Sequence, residues 1–151
     1  MKVFVATDHA GFSLKEEIKK FLIDQGYDVE DCGALSFNKD DDYPDLIKIA
    51  AEKVSQNQDA KGIIFGKSGT GEEIVANKIR NIRAFTGFSA ENVRLAREHN
   101  NANILSLGSE FVTFEKAQEL VKIFLTTPFS KEERHQRRLD EITEIEEKEE
   151  N

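Results

Sequence analysis

A glycine-rich segment followed by an acidic residue is the part of the sequence best suited to chemistry. The segment, 66–78, follows the apolar run 63–65 and leads into a helical pattern. Its glycines let the backbone turn sharply, and the unpaired N–H groups at the start of a helix favour anions. Glu72 follows the last of these glycines, so a proton acceptor lies beside a site that stabilises a developing oxyanion. The pattern predicts proton-transfer chemistry, and a plain strand-to-helix turn is the simpler alternative.

Two nucleotide-binding motifs share part of this pattern, but neither has the right spacing. The phosphate loop of nucleoside triphosphatases needs four residues between its first glycine and Gly-Lys, whereas three separate Gly62 from Gly66. The dinucleotide-binding fingerprint requires a glycine where Ile74 stands. The segment therefore matches neither motif.

The length and composition of the chain exclude several classes of protein. Its 151 residues suffice for one domain with a sizeable core. No run of about 18 apolar residues and no basic-then-apolar amino terminus occurs, so we expect no membrane span, no secretory signal and a cytoplasmic location. The single cysteine, Cys32, cannot form an internal disulfide and is expected to be a small buried residue.

The net charge of −8 is unevenly distributed along the chain. Residues 140–151 contain seven acidic residues and one lysine, whereas residues 1–139 carry a net charge of only −2. We therefore divide the chain into a domain, 1–139, and an acidic C-terminal extension, 140–151, expected to be a solvated or frayed helix end. Because no broad basic face is present, we expect no nucleic-acid partner, and the basic residues are expected to meet a small anion.

Hydrophobic periodicity predicts strands that alternate with helices. The predicted strands are 2–7, 27–32, 61–65, 83–88 and 103–107. The predicted helices are 13–25, 90–98 and 113–125, with others that begin at Tyr43, after Gly71 and at Lys131. Ser13 and Glu16 form a capping-box pattern at the start of the first helix.

This alternation predicts a particular fold and a particular place for ligands. Parallel neighbours need crossover connections, so we expect a doubly wound, Rossmann-like α/β fold with a five-stranded parallel sheet, helices on both faces and a C-terminal helix. Ligands in such sheets bind beyond the carboxyl ends of the strands. There we expect the loops at 8–9, 66–72, 99–100 and 108–110.

Six short blocks, in order and spacing, resemble type B ribose-5-phosphate isomerases and the related galactose-6-phosphate isomerase subunits. They are Asp8-His9-Ala10-Gly11, Asp42-Tyr43-Pro44-Asp45, Gly69-Thr70-Gly71, Ala76-Asn77-Lys78, Leu95-Ala96-Arg97-Glu98-His99-Asn100 and Arg134-His135-Gln136-Arg137-Arg138. The resemblance covers nearly the whole chain, so residues 1–139 would form a sugar-phosphate isomerase domain. It implies aldose–ketose isomerisation through a cis-enediolate, in which a base moves a proton between C1 and C2 of the opened sugar without a metal or organic cofactor.

The resemblance also implies catalytic roles for individual residues. Many family members use a cysteine as the base where this sequence has Gly66, so that form of the mechanism is absent. A second branch uses a glutamate directly after the glycine segment, and Glu72 matches it. His99 resembles the general acid that helps to open the sugar ring, and Asn100 resembles the amide that steadies the enediolate. The simpler alternatives are a helix-capping histidine and an ordinary turn residue.

The remaining site residues are expected to bind the substrate. They lie in the loop after the first strand, at the start of the second helix and in the glycine segment, and they are Asp8, His9, Tyr43, Lys67, Ser68, Gly69, Thr70 and Gly71. Arg134 and Arg138 are four apart on a helix, so they share one face and can clasp a phosphate, whereas Arg137 points elsewhere. Each of these assignments has a simpler alternative. The Asp-His pair can cap the end of a strand, the tyrosine can pack at the start of its helix, and the arginines can form a solvated basic face.

Two departures from the family pattern leave the substrate open. Lys67 replaces a common glycine, and Glu110 stands where many ribose-phosphate members carry a phosphate-binding arginine. Three alternatives therefore stay open. They are a six-carbon isomerase acting on allose or galactose 6-phosphate, one subunit of a hetero-oligomer, and a non-catalytic sugar-phosphate sensor. In the family, site residues come from two subunits, which implies a homodimer or a dimer of dimers with shared active sites.

Overall fold

The computed structural model describes residues 1–149 and contains five strands in one parallel sheet. The strands are β1 (Lys2–Thr7), β2 (Asp28–Asp31), β3 (Lys61–Gly66), β4 (Ala84–Thr86) and β5 (Ile104–Gly108). Their order across the sheet is β2-β1-β3-β5-β4, and every neighbouring pair is parallel. The predicted five-stranded parallel sheet is confirmed.

Helices cover both faces of this sheet. They are α1 (Phe12–Asp24), α2 (Tyr43–Ser55), α3 (Thr70–Ala76), α4 (Ala90–Asn100), α5 (Phe114–Thr126) and α6 (Glu133–Glu149), with a 3-10 turn at His9–Gly11. Successive side chains of a strand point to opposite faces, so Val3 and Val5 pack with α1, α4 and α5, whereas Phe4 and Ala6 pack with α2 and α3. Two apolar cores result, one on each face, as expected of a doubly wound fold.

The two edge strands are shorter than predicted. β2 has four residues where 27–32 were expected, and β4 has three where 83–88 were expected. Each pairs with a neighbour on one side only, so fewer backbone hydrogen bonds define its ends. Helix α4 continues to Asn100, two residues beyond its predicted end.

The start of α1 also differs from the prediction. The helix begins directly after Gly11, which has no capping side chain, so the predicted capping box of Ser13 and Glu16 is wrong. Asp8 instead caps the preceding 3-10 turn by accepting a hydrogen bond from the Ala10 N–H at 3.0 Å. The cap comes earlier because the chain turns tightly before the helix starts.

Helix α6 runs through the position where the acidic extension was expected to begin. Leu139 is buried, and residues 140–149 continue the same helix, while 150 and 151 lie outside the described residues. Both carboxylate oxygens of Glu146 accept from the Asn81 N–H at 3.2 Å, which joins this end of the helix to the segment before β4. The division at 139 stays a prediction. None of the described helices has the length and apolar composition to span a bilayer.

Candidate active site

Glu72 lies buried at the carboxyl end of the central strand β3. It belongs to the first turn of α3 and is only 4% exposed. A Cβ atom added at Gly66, the last residue of β3, would lie 1.9 Å from Glu72 Oε1. The carboxylate therefore occupies the space that any other residue at position 66 would fill with its side chain.

This environment raises the pKa of the Glu72 carboxyl group above its ordinary value. Burial is the largest cause, because it disfavours the charged form, and the negative charge of Asp8 acts in the same direction. Hydrogen bonds from the backbone of Glu72 and Gly69 oppose this rise in pKa. A carboxylate that has a raised pKa and is held by backbone donors is suited to accept a proton and return it.

The glycine segment after β3 is anchored to the neighbouring strand β5. Gly69 has φ = +84°, in the left-handed region that favours glycine, and its carbonyl accepts a hydrogen bond from Ser106 Oγ at 2.7 Å. Lys67, Ser68 and Thr70 are exposed around this anchor. The segment therefore combines a fixed backbone with polar groups that face the solvent.

Tyr43 lies against the same segment. It begins α2, and Pro44 occupies the first turn of that helix as predicted. A Cβ atom at Gly71 would lie 2.7 Å from Tyr43 Cζ and 2.8 Å from the hydroxyl oxygen of Tyr43. Because Tyr43 remains 37% exposed, its phenol group borders the surface beside Gly71, the residue before Glu72.

The loop after β1 brings Asp8 and His9 to this edge of the sheet. Asp8 is buried, and it is close enough to Glu72 to raise the pKa of that residue. His9 Nδ1 lies 2.7 Å from Asp41 Oδ1, and Asp41 belongs to the loop after β2. Sequence reasoning missed Asp41, because it is one of three successive aspartates and nothing in their order distinguishes it.

Lys67 and Glu110 meet at the rim of this region. Lys67 Nζ lies 3.8 Å from Glu110 Oε1, and both side chains are well exposed. The Glu110 N–H also donates to the Lys67 carbonyl at 3.1 Å, so the loop after β5 lies along the glycine segment. An exposed ion pair of this length stabilises the fold little, but it partly neutralises the Glu110 charge beside the site.

His99 and Asn100 lie at the opposite edge of the sheet. A crossover helix runs back across a parallel sheet, so α4 starts near the carboxyl end of β4 and ends near the amino end of β5. Arg83, which precedes β4, donates from Nε to the Asn100 carbonyl at 3.1 Å. The Asn103 carbonyl accepts from the Gly62 N–H, at the start of β3, at 2.9 Å. The prediction that residues 99–100 lie beyond the carboxyl ends is therefore wrong.

His135 is a further residue of this amino edge, to which sequence reasoning gave no role. It is 4% exposed, and its ring centroid lies 4.2 Å from that of His99 with an angle of 33° between the rings. His135 Nδ1 lies 2.9 Å from Ser130 Oγ. Burial, followed by the neighbouring charges of His99 and Arg134, lowers the pKa of His135, so a neutral imidazole packs against His99.

Arg134 and Arg138 project from the first turns of α6, beside His135. Both are exposed. Arg134 Nε donates to Glu132 Oε2 at 3.0 Å, whereas Arg138 forms no ion pair within residues 1–149. Arg137 pairs instead with Glu133 at 3.2 Å. Both guanidinium groups are exposed at the amino edge, and of the two only that of Arg134 has an acidic partner within residues 1–149.

The candidate residues form two separate groups within one chain. The carboxyl-edge group contains Asp8, His9, Tyr43, Glu72 and the segment 67–71, and the amino-edge group contains His99, Asn100, Arg134 and Arg138. Gly66 and Gly62, which neighbour the two groups, are four residues apart on β3, or about 13 Å at the usual rise of a strand. A single chain therefore does not bring Glu72 and His99 together.

One cluster among the described residues has the composition of a metal site. Ligand atoms of Asp8, His9 and Asp41 all lie within 4.8 Å of one another. However, His9 Nδ1 is bound to Asp41, and Asp8 Oδ1 accepts from the Ala10 N–H. These internal hydrogen bonds account for the arrangement, and we assign no metal to it.

Cys32 follows the end of β2 and does not belong to either group. Its side chain is half-buried, and burial raises the pKa of the thiol to about 11. A thiol with such a pKa is almost entirely protonated at neutral pH and is a poor nucleophile. The geometry agrees with the expectation of a small packing residue.

Comparison with known proteins gives a consistent match over nearly the whole chain. A model of the family described as Ribose/Galactose Isomerase matches residues 3–142. Ribose-5-phosphate isomerase B of Mycolicibacterium paratuberculosis is 44% identical over 146 residues, which cover 97% of this chain and 92% of that protein.

Two solved structures share the fold closely. The structure of ribose-5-phosphate isomerase B from Mycoplasma genitalium with bound ribulose-5-phosphate has a TM-score of 0.93 and 39% identity, covering 97% of this chain and 96% of that one. The enzyme of the same name from Clostridium thermocellum also has a TM-score of 0.93, with 40% identity and coverage of 98% and 99%.

Substitution of Gly66 tests whether its missing side chain is what admits the Glu72 carboxylate. We expect Gly66→Ala to fold but to push the carboxylate out of its buried position, because the atoms in the way are the flexible end of the Glu72 side chain. The pKa of Glu72, followed by ¹³C NMR of labelled carboxyl groups, should fall as burial is lost.

Gly62→Ala is the matched control on the same strand. An added Cβ there would meet Ile104 and Val54 at 3.1 Å, far from Glu72. It should cost some stability and leave the Glu72 pKa unchanged. An unaltered Glu72 pKa in Gly66→Ala would show that the carboxylate does not depend on this space.

Proposed function

We propose that this chain, which belongs to the ribose/galactose isomerase family, interconverts ribose 5-phosphate and ribulose 5-phosphate. It is an aldose–ketose isomerase, as the names of the relatives and the ribulose-5-phosphate bound to the Mycoplasma neighbour support. The observation that carries the mechanism is the buried Glu72 carboxylate in the space left by Gly66. No other carboxylate of the glycine segment is buried, since Glu73 is half-exposed and accepts from Thr86 Oγ1.

The proposed reaction moves one proton between neighbouring carbons. Glu72 accepts the proton from C2 of the opened aldose, and the electron pair of the broken C–H bond forms the C1–C2 double bond. The carbonyl electrons move to O1, which gives an enediolate that the N–H groups of the glycine segment and Asn100 stabilise. Glu72 then returns its proton to C1, while the proton of the O2 hydroxyl is transferred to O1, so that C2 becomes the carbonyl carbon and C1 carries the hydroxyl group of the ketose. His99 is proposed as the acid that opens the ring.

The phosphate of the sugar is proposed to bind the basic side chains around this site. Arg134 and Arg138 present guanidinium groups on one face of α6, and such groups bind phosphate through charge-assisted hydrogen bonds. His9 can contribute a further donor from the carboxyl-edge group. Asp8 and Tyr43 are proposed to contact the sugar hydroxyls.

A second copy of the chain is proposed to complete the site. The reaction needs Glu72 and His99 around one sugar, but they belong to opposite edges of the same sheet. An isologous homodimer can place the amino-edge group of one copy against the carboxyl-edge group of the other, twice per dimer. Large exposed apolar side chains after β2, β4 and β5 provide a surface for such contact. They are Leu35, Phe37, Phe88 and Phe111.

The charge of Glu110 bears on the choice of ribose over a six-carbon sugar. Glu110 replaces an arginine implied by the family pattern, but Lys67 holds its carboxylate 3.8 Å away in an ion pair. This pair lowers the repulsion between Glu110 and a phosphate. Allose or galactose 6-phosphate stays the alternative substrate, and a dimer of dimers and a cytoplasmic location stay predictions.

The role of Glu72 can be tested with its amide. We expect Glu72→Gln to lower kcat for ribose 5-phosphate by at least about a hundredfold with little change in KM, because an amide cannot accept the C2 proton. Because burial raises the Glu72 pKa, the acid limb of kcat/KM in the unaltered protein should lie above the pH at which an ordinary carboxyl group titrates.

Glu73→Gln is the control, since it removes the neighbouring carboxylate of the same helix turn. It should retain nearly full kcat. Near-normal turnover by Glu72→Gln would reject Glu72 as the base, and equal losses in both variants would point to damage of α3.

The two proposed phosphate ligands can be tested against the arginine between them. Arg134→Ala and Arg138→Ala should each raise KM for ribose 5-phosphate by about 10- to 150-fold, the loss expected for one charge-assisted hydrogen bond. Arg137→Ala is the control on the same helix turn, because no phosphate contact is proposed for Arg137, and it should change KM little. If all three variants share the same KM, the phosphate binds elsewhere.

A further inference from the structure

Asp41 contacts both the backbone and the ring of His9. Its Oδ1 atom accepts a hydrogen bond from the His9 backbone N–H at 3.0 Å and lies 2.7 Å from His9 Nδ1. The two contacts fix both the backbone and the ring of His9 to one oxygen atom. The side chain of Asp41 is 13% exposed, whereas that of His9 is 36% exposed. The pair thus has a buried acidic end and an accessible imidazole end.

The second oxygen of Asp41 bears on the charge of the pair. Asp41 Oδ2 is buried and has no hydrogen-bond partner among the described residues. A buried carboxylate is costly unless a cation compensates its charge. His9 is the only cationic group for which a contact with Asp41 is found among residues 1–149. The geometry therefore favours a protonated His9 with its Nδ1–H donated to Asp41.

The charged groups around His9 act in the same direction. The hydrogen bond to Asp41 is the largest cause that raises the pKa of His9, and the charges of Asp8, Asp41 and Asp40 add to it, against an opposing effect of burial. The aromatic neighbour of His9 carries no charge, since it is Phe37, whose ring lies edge-on to the imidazole with 6.3 Å between the ring centroids. Nε2 has no partner within residues 1–149, so its N–H is the donor left for a ligand.

We propose that Asp41 is a positioning residue, which holds His9 as a cation whose Nε2–H is presented to the phosphorylated sugar. Asp41 does not touch the substrate in this proposal and acts only through His9. The inference rests on the proposed function, because it takes a sugar phosphate as the ligand of His9. It predicts that loss of the Asp41 charge weakens binding of the phosphate dianion and leaves proton transfer by Glu72 intact.

The test compares Asp41→Asn with Asp40→Asn, which removes the same charge from the exposed neighbour in the same loop. For ribose 5-phosphate, Asp41→Asn should raise KM about tenfold and change kcat less than about twofold, whereas Asp40→Asn should change KM little. A raised pKa keeps His9 charged to higher pH. In Asp41→Asn the pKa falls, so the rise in KM on the alkaline side should begin at lower pH.

An NMR titration, which does not depend on the enzyme assay, and a double-variant comparison of KM complete the test. In ¹⁵N NMR of the unaltered protein, the His9 ring should titrate above the ordinary histidine pKa of about 6.5 with the proton retained on Nδ1. In a His9→Gln background, Asp41→Asn should have almost no further effect on KM, because two residues that act through one contact are not additive.

Three results would overturn the positioning role. They are a His9 ring that titrates at or below the ordinary value, an Asp41→Asn variant that matches Asp40→Asn in KM, and a full additional rise in KM on a His9→Gln background. These outcomes are distinct from a failure of the proposed function, which the unaltered protein would reveal by lacking activity on ribose 5-phosphate.

Discussion

The absence of a side chain at the end of the central strand is the constraint on which the candidate site depends. Gly66 leaves the volume that the Glu72 carboxylate fills, and burial in that volume raises the Glu72 pKa. The same crowding extends to Gly11, where an added Cβ would lie 2.9 Å from the Gly66 backbone nitrogen. The turn that carries His9 can therefore approach the end of β3 closely. Gly66 and Gly11 thus allow the Glu72 carboxylate and the turn that carries His9 to lie close together at the carboxyl end of β3.

The parallel sheet imposes the second constraint. Every crossover helix returns the chain to the amino edge, so the end of α4 is far from the glycine segment that follows β3. Helix α6 stays at this amino edge, because His135 packs against His99 and Glu146 binds the Asn81 N–H. One fold therefore carries the two proposed halves of the site at opposite ends of its strands. The proposed association of two copies would bring these halves together.

The sequence predicted the fold well because the fold depends on periodic burial. The strands and helices follow apolar patterns that neighbouring residues repeat, and the main differences are the edge strands, the first helix cap and the end of α4. Glu72 and Tyr43 could be placed from the sequence because each adjoins a residue that marks the start of a helix. Glu72 follows Gly71, and Tyr43 precedes Pro44.

What the sequence did not reveal depends on long-range contacts. His99 is the exception, because the return direction of the crossover helix α4, and not a long-range contact, places it at the amino edge instead of the predicted carboxyl ends. Asp41 and His135 act through partners 32 and 36 residues away, respectively, in loops or helices with no local signal. Such pairings become visible only when the elements are packed.

The most direct test of a shared site is complementation between two disabled variants. Glu72→Gln and the double variant His99→Ala/Asn100→Ala each remove one half-site, and subunit exchange in an equal mixture makes half of the dimers mixed. Each mixed dimer then contains one intact site, so the mixture should recover about a quarter of the unaltered activity on ribose 5-phosphate. A mixture no more active than its two components would contradict a site that is built from opposite edges of two chains.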